Sequence, residues 1–421
     1  MEFGLDKCRI NGLQKGKWKK HDEYMLENQQ GKEADRRTIE AMEECENYKY
    51  LGVLQGKGIE HKKIKEVLTE KYRNRLEKLL KTKLKSRNLT KATNTYAIPV
   101  ISYPYGIINW TATELQNLNR ITRKKYTQYR AHHPHSSCER FHIPRKLGGR
   151  GIVDMVQLHH KISSGIRDYF YNNMNRSSLL KAIVDNDKKY TVLNLPNNDT
   201  QLGTPPTTQD LTNWASKQLH GRYINLLRQD RINQEASNNW LNKGDLFPET
   251  EGFLTSIQDH VIPTLNYRQY IIQDPNVQND RCRMCHAKSE TIEHITSACP
   301  TMAGKEYTDR HNGVAKILHN WLAFKIGYTA ERTPYYKYTP DGVCETPIHT
   351  LYWDRTVQTD HQVINNRPDI MVKDKVNSTC TIIERLLERP STWMKPTRPD
   401  TAVHITASTS KERRGSSIQK Q

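Results

Sequence analysis

The stretch Arg281-Cys282-Arg283-Met284-Cys285, followed by Glu293-His294 and Ala298-Cys299-Pro300, holds three cysteines and one histidine in the order C-x2-C-x8-H-x4-C. Two cysteines separated by two residues can bind a metal ion from one tight turn, and the later His and Cys can complete a tetrahedron. Zinc prefers this set of three sulfurs and one nitrogen, and it would keep the thiols deprotonated. The alternative is a reduced, buried pair of cysteines beside a chance histidine.

Because these four side chains leave no coordination position for water, the spacing predicts a structural zinc rather than a catalytic one. The predicted ligands are Cys282, Cys285, His294 and Cys299.

The composition of the whole chain predicts several small units and a negatively charged partner. Only 35% of the 421 residues are hydrophobic, which is low for one large globule. The formal net charge of +19 indicates DNA and/or RNA as the partner, rather than a membrane. No apolar run approaches the roughly 20 residues that a membrane helix needs. We expect no small-molecule substrate beyond what the family resemblance described below implies.

The cysteines indicate a reducing compartment. Outside the zinc motif they are scattered without a pairing pattern, as Cys8, Cys45, Cys138, Cys344 and Cys380. Disulfides are rare in the cytosol and the nucleus, so we expect a nuclear or cytoplasmic protein. The charged N-terminus, with Glu2, Asp6, Lys7 and Arg9, also lacks the features of a signal peptide.

Two helices with basic faces are predicted before the zinc motif. Apolar residues at three- and four-residue steps predict a helix from Ile59 to Arg87, and a capping box of Thr111 and Glu114 predicts the start of another. Such faces can contact a phosphate backbone, although many are only solvated. The candidate nucleic-acid-binding residues are Lys62, Lys63, Lys71, Arg73, Arg75, Lys78, Lys81, Lys85, Arg120, Arg123 and Lys124, together with Arg281 and Arg283 beside the zinc motif.

Several stretches together resemble one family. They are Phe3-Gly4-Leu5-Asp6-Lys7-Cys8, Tyr48-Lys49-Tyr50-Leu51-Gly52-Val53, Leu219-His220-Gly221-Arg222, the zinc motif and Asn366-Arg367-Pro368-Asp369-Ile370. The chain resembles the C-terminal half of the polyprotein of site-specific non-LTR retrotransposons, which joins a reverse transcriptase to a restriction-like endonuclease. Of these stretches, Tyr48 to Val53 is expected to form a short aromatic strand ending in a turn at Gly56 and Gly58, and it resembles the primer-grip hairpin of the family. The likeness runs from about Phe3 to Glu384.

The resemblance implies a mixed, mainly α fold with an ordered series of parts. These are residual palm β-hairpins with the late palm motif and primer grip (1–58), an α-helical thumb (59–175), a linker (176–210), an α-helical connector (211–280), a CCHC zinc knuckle (281–305), a truncated α/β restriction-like endonuclease (306–384) and a disordered tail (385–421). Within the endonuclease part, Asp369 to Lys373 and Cys380 to Ile383 are predicted as two adjacent strands.

The chain also departs from the family. RNA-directed DNA polymerases of this type bind Mg²⁺ on a paired-Asp turn, and no Asp-Asp pair occurs in the sequence. In the nuclease part, Asp369 fits the first catalytic acid and Glu384 the second, whereas neither Lys375 nor Lys395 has a convincing position for the catalytic lysine. Magnesium is therefore expected as a cofactor only if this remnant is active.

We therefore expect a retrotransposon-derived nucleic-acid-binding fragment of a reverse transcriptase/endonuclease, without its own polymerase activity. Two alternatives remain: a residual Mg-dependent DNA endonuclease, and a decayed open reading frame with no selected activity.

Overall fold

A computed structural model of the chain describes residues 9–10, 12–14, 17–19, 24–26, 37–39, 41–42, 46–56, 58–187, 191–195, 206–358, 366–383 and 406–408. Contacts divide the chain into two units, Met1–Val261 and Ile262–Gln421. Helices dominate, and all the paired strands are antiparallel. This agrees with the predicted mixed, mainly α class. The predicted late palm motif, Phe3 to Cys8, lies outside the described residues.

The first unit begins with short strands that pair as hairpins. They are β1 Gly12–Gln14 with β2 Lys17–Lys19, β3 Tyr24–Leu26 with β4 Arg37–Ile39, and β5 Tyr48–Tyr50 with β6 Val53–Gln55. The expectation of one continuous strand from Tyr48 to Val53 is wrong, because the chain reverses at Leu51 and Gly52. Both residues have positive φ angles, 46° and 84°, which matches a two-residue type I′ turn. Gly52 adopts this conformation without steric cost.

The rest of the first unit is helical. Its helices are α1 His61–Leu80, α2 Ser86–Ala92, α3 Pro99–Ser102, α4 Ala112–Gln128, α5 Cys138–His142, α6 Met155–Asn173, α7 Ser178–Asn186, α8 Pro206–Ser216, α9 Gly221–Leu227, α10 Gln234–Lys243 and α11 Pro248–Gln258. A five-residue π-helical segment, Thr93–Ala97, follows α2. The main core contains Ile64, Tyr72, Leu76, Leu115, Leu118, Tyr126 and Phe141.

Helices α1 and α4 lie side by side and run in the same direction. The Lys65 ammonium is 2.7 Å from the Glu114 carboxylate near the start of both helices. Two turns further on, the Tyr72 and Thr122 hydroxyls are 2.6 Å apart in the core. The predicted capping box of Thr111 and Glu114 is confirmed at the start of α4. The two basic helices are therefore held in a fixed relation to each other.

The prediction of one helix from Ile59 to Arg87 is wrong at its C-terminal end. Helix α1 ends at Leu80, and the Thr82 hydroxyl donates a 2.6 Å hydrogen bond to the Leu79 carbonyl. This local bond competes with continuation of the helix. Lys85 and Arg87 consequently lie beyond α1, where Lys85 is 2.7 Å from Asp245 and Arg87 donates to the Asn242 carbonyl at 3.0 Å.

A group of mostly buried ions, which we call the arginine cluster, joins α5 and the loop after it to helix α11. It consists of Arg140, Arg145, Arg150, Glu251 and Asp259. Arg140 is 1% exposed, and its guanidinium lies 2.8 Å from the fully buried Asp259 carboxylate. The same guanidinium donates to the Gly148 carbonyl at 2.9 Å and to the Thr255 carbonyl at 3.1 Å. These bonds offset the cost of burying the charge.

Glu251 is the second anion of the arginine cluster. Its carboxylate lies 2.8 Å from Arg150 Nε and accepts a 2.9 Å hydrogen bond from Arg145 Nη1. Burial alone would raise the pKa of the Glu251 carboxyl, but Arg150 and Arg145 lower it below its usual value. The loop that carries both arginines also requires Gly149, since a Cβ there would lie 2.0 Å from the Ile143 carbonyl oxygen.

Residues 176–210, predicted as a linker, contain helix α7 and the beginning of α8. Val184 of α7 forms a small buried cluster with Leu193 and Leu195, and Phe170 of α6 packs against it. This part of the stretch is therefore packed against the helical unit. The linker prediction was based on the many polar residues of the stretch and did not take account of these few apolar ones.

The second unit combines helices with one sheet. Its elements are α12 Leu265–Tyr267, α13 Pro300–Met302, α14 Thr308–Lys325, β7 Val343–Glu345, β8 His349–Trp353, β9 Ile370–Asp374, β10 Thr379–Ile383 and β11 Thr406–Ser408, with π-helical segments Arg268–Ile272, His294–Ala298 and Ala303–Tyr307. The strands form an antiparallel sheet in the order β11-β10-β9-β8-β7. Ala323 of α14 packs with Cys344, Leu351 and Ile370 of the sheet.

The two predicted adjacent strands near the C-terminus are confirmed as β9 and β10, with Ile370 paired to Ile383. Of the predicted disordered tail, 385–421, the structure describes only strand β11. Within the described residues, no helix has the length and apolar character to cross a bilayer.

We expect Glu251→Gln to destabilise the first unit, because Arg145 and Arg150 would lose the charge that compensates theirs. Breaking a buried ion pair in this way costs about 3–5 kcal/mol. Urea unfolding of the full chain measures the loss. Glu249→Gln is the matched control, since Glu249 is an exposed residue of the same helix. Equal midpoints for the two variants would contradict a stabilising role for the arginine cluster.

Candidate metal centre and nucleic-acid interface

The structure brings the four predicted metal ligands together. The ligand atoms of Cys282, Cys285, His294 and Cys299 all lie within 4.8 Å of one another. Cys282 Sγ is 4.0 Å from Cys299 Sγ, and Cys285 Sγ is 3.3 Å from His294 Nε2. A tetrahedral zinc ion would separate two sulfurs by about 3.8 Å and a sulfur from a nitrogen by about 3.5 Å, given its usual bond lengths. The four residues could therefore bind a metal such as zinc.

A tight turn presents the first two ligands. The Cys282 N–H donates to the Lys288 carbonyl at 2.7 Å, and the His286 N–H donates to the Cys282 carbonyl at 2.8 Å. His286 has a φ of 54°, which lets the chain reverse directly after Cys285. Backbone N–H groups of Ala287 and Lys288 lower the pKa of the Cys285 thiol to about 6. This thiol is therefore prepared to act as a thiolate ligand.

Of the last two ligands, His294 begins the π-helical segment His294–Ala298 and Cys299 directly follows it. The His294 N–H donates to the Thr291 hydroxyl at 3.1 Å at the start of this segment. At its end, the Cys299 N–H donates to the Tyr307 hydroxyl at 3.0 Å, and that hydroxyl donates to the Ile295 carbonyl at 2.8 Å. Tyr307 thus fixes the spacing between the two ligands. Sequence reasoning missed Tyr307, because it lies outside the motif and carries no ligand atom.

Glu290 connects the turn that carries Cys282 and Cys285 to helix α12. Its carboxylate is 2.7 Å from Arg283 and accepts the Leu265 N–H at 2.9 Å. Burial would raise the pKa of the Glu290 carboxyl, but its hydrogen bonds with Arg283 lower it overall. The turn that carries Cys282 and Cys285 therefore packs with residues that the sequence analysis assigned to the connector, and both belong to the second unit. Arg283, which is predicted to contact nucleic acid, forms an ion pair with Glu290, so part of its charge is neutralised within the protein.

The predicted nucleic-acid-binding residues differ in their exposure and in their ion pairs within the protein, and therefore in how free they are to contact a ligand. Some are exposed and form no ion pair with any other residue in the described ranges: Lys62, Lys63, Lys71, Lys78, Arg120 and Lys124. Others are engaged within the protein, since Arg73 lies 3.7 Å from Glu70, Lys81 lies 3.1 Å from Glu77, and Lys85 contacts Asp245. Arg123 is half-buried in α4, and Arg281, directly before Cys282, is exposed.

One predicted basic residue has an aromatic partner that the sequence analysis missed. The Arg75 guanidinium lies 4.5 Å from the centre of the Tyr96 ring. Tyr96 lies in a different element from Arg75, 21 residues later in the sequence, so no periodic pattern connects the two residues. The pair becomes visible only because the π-helical segment packs against α1.

The predicted nuclease residues are only partly described. Asp369 immediately precedes β9 and is half-buried, with its carboxylate 3.0 Å from His311 Nε2 of α14. Lys375 lies past the opposite end of β9, 2.6 Å from Glu345, so it does not approach Asp369. Glu384 and Lys395 lie outside the described residues.

No protein-family model matches the chain, and a search of curated proteins finds no significant similarity. The resemblance to retrotransposon reverse transcriptases therefore depends on the motifs in this sequence alone.

We expect Cys285→Ser to abolish stoichiometric zinc binding, because the three remaining ligands cannot complete the tetrahedral coordination of a structural zinc. Native mass spectrometry of the full chain measures the bound metal. Cys138→Ser is the control, because Cys138 is an exposed free cysteine in α5. Equal zinc content in the two variants, or none in the wild type, would contradict a zinc site at this turn.

Proposed function

We propose that this chain binds nucleic acid through the outer faces of α1 and α4, and that a structural zinc at Cys282, Cys285, His294 and Cys299 stabilises the second unit. The observation that carries the proposal is the excess of exposed, unpaired basic side chains on these two adjacent helices. Helix α1 holds seven lysines and arginines against three glutamates, and α4 holds four against one.

The distribution of acids strengthens this excess. Glu114 of α4 pairs with Lys65, and Glu77 of α1 pairs with Lys81 and with Lys125 at 3.2 Å. Both glutamates are thus neutralised where the helices meet. The outer surface keeps positive charge that has no partner within the described residues. Such a surface attracts phosphates and releases their counterions on binding, which makes the affinity fall with salt.

The resemblance to the thumb of a retrotransposon reverse transcriptase supports the same role. Thumb helices grip a template and primer, whereas bond formation needs Mg²⁺ on palm carboxylates, for which this sequence has no Asp-Asp pair. We therefore propose binding without polymerase activity. The zinc contribution rests on the fit of four ligand atoms and on the Glu290 and Tyr307 contacts around them.

A residual Mg-dependent endonuclease is the second candidate. It is favoured by the register of the sheet, in which Ile370, the residue after Asp369, pairs with Ile383, the residue before Glu384. Such a site needs two acids on neighbouring strands; Asp369 directly precedes β9, and in the sequence Glu384 directly follows β10. His311, 3.0 Å from Asp369, would orient the first carboxylate.

Plasmid nicking in Mg²⁺ tests the nuclease. We expect Asp369→Asn to remove any nicking by the wild type, because the site would lose a metal ligand. Asp309→Asn, at an exposed position on α14, is the control. Wild-type nicking that persists in Asp369→Asn would exclude this site as its source.

Charge reversal on α4 tests the nucleic-acid interface. We expect Arg120→Glu with Lys124→Glu to weaken binding to labelled oligonucleotides and to reduce the salt slope by about 0.9 for each lost duplex phosphate contact. Fluorescence anisotropy at several salt concentrations measures both quantities. The control, Lys181→Glu with Lys305→Glu, changes the charge equally at exposed positions in other elements of the chain. Binding that is independent of salt, or equally affected by the control, would overturn the proposal.

A further inference from the structure

A surface groove runs between α1 and the π-helical segment Thr93–Ala97. Its volume is about 630 Å³, and its lining includes Val67, Lys71, Asn74, Arg75, Lys78 and Tyr96. The sequence analysis placed three of these residues on a basic helix face but did not recognise a groove. Its combination of cations with an exposed aromatic ring is more specific than a basic surface alone.

The pair formed by Arg75 and Tyr96 gives the groove a preorganised platform. The Arg75 guanidinium lies 4.5 Å from the Tyr96 ring centre, and its Nη1 donates to the Tyr96 carbonyl at 2.9 Å. These two contacts hold the side chain of α1 against the neighbouring segment. Tyr96 nevertheless remains 47% exposed. Exposed tyrosine rings and guanidinium planes are the surfaces on which proteins stack unpaired bases.

Two lysines flank the platform along α1. Lys71 lies one turn before Arg75 and Lys78 lies about one turn after it, so the lysines are separated by about 10 Å along the helix. Both are exposed and neither forms an ion pair with another described residue. The two ammonium groups can therefore contact the backbone phosphates on opposite sides of one stacked base.

The acidic residues of the groove restrict where a polyanion can lie. Glu66 and Glu70 also line it, towards the N-terminal end of α1. The Glu70 carboxylate is 3.7 Å from Arg73, which offsets part of its charge. Phosphates are therefore favoured between Lys71 and Lys78 and disfavoured near Glu66.

We propose that this groove binds a single-stranded segment of nucleic acid, with an unpaired base stacked on the Tyr96–Arg75 platform and backbone phosphates on Lys71 and Lys78. The inference rests on the proposed nucleic-acid binding and adds the form of the ligand. In a duplex the base faces are already stacked on one another, so a duplex can use the lysines but not the platform. Single-stranded DNA and RNA both supply the required chemistry.

The test compares three ligands of one sequence: unstructured single-stranded DNA, the same sequence as RNA, and the DNA duplex. Fluorescence anisotropy with the full chain measures their affinities. We expect Tyr96→Ala to weaken single-strand binding by about tenfold, the loss that removing one stacked base produces, and to leave duplex binding unchanged. Tyr96→Phe should restore single-strand binding, because the ring alone supports stacking. A difference between the DNA and RNA arms would identify the preferred strand.

Tyr169→Ala is the matched control, since Tyr169 is 59% exposed on α6. Unfolding midpoints of each variant establish that the fold is retained. Wild-type binding without salt dependence would overturn the proposed function itself. Salt-dependent wild-type binding combined with equal single-strand affinities for Tyr96→Ala and Tyr169→Ala would overturn only the stacking groove. A parallel loss of duplex binding in Tyr96→Ala would also overturn it.

Discussion

The ion pair between Glu251 and its two arginines is the constraint on which the first unit depends. Arg145 and Arg150 lie in the short loop after α5, and Glu251 lies in α11, far away in sequence. Arg150 also reaches the Ser86 hydroxyl at the start of α2, 3.4 Å away. One buried carboxylate therefore ties together α2, the loop and α11. Because α2 leads into the π-helical segment that packs on α1, the position of this segment beside the basic face of α1 depends on the buried Glu251 carboxylate.

Local signals in the sequence were sufficient for the metal ligands and for several element boundaries. The cysteine and histidine spacing identified residues whose ligand atoms converge, because a short motif encodes its own turn. The Thr111 capping box and the strand pair β9–β10 were also predictable, since each depends on neighbouring residues. Tyr307 and Glu290 were not predictable, because they support the ligands through hydrogen bonds that leave no spacing pattern.

Long-range ion pairs account for most of what the sequence could not reveal. The partners Arg140 and Asp259 are 119 residues apart, and Arg145 and Glu251 are 106 residues apart. Composition counts these arginines as part of the excess positive charge, yet they lie inside the protein. Periodicity has the same limitation, since it assigned Lys85 to a predicted helix face but cannot show that α1 ends at Leu80 and that Lys85 contacts Asp245.

The arginine cluster also constrains how this protein can diverge. The cluster pairs three arginines, of which Arg140 and Arg150 are buried, with the buried carboxylates of Glu251 and Asp259, beside a loop position that admits only glycine. A substitution that removes one charge leaves another uncompensated, so neutral drift at these sites requires coordinated replacements. The exposed lysines of α1 compensate no buried charge, so they can be substituted one at a time. The ligand preference of the surface can therefore change while the helical core stays the same.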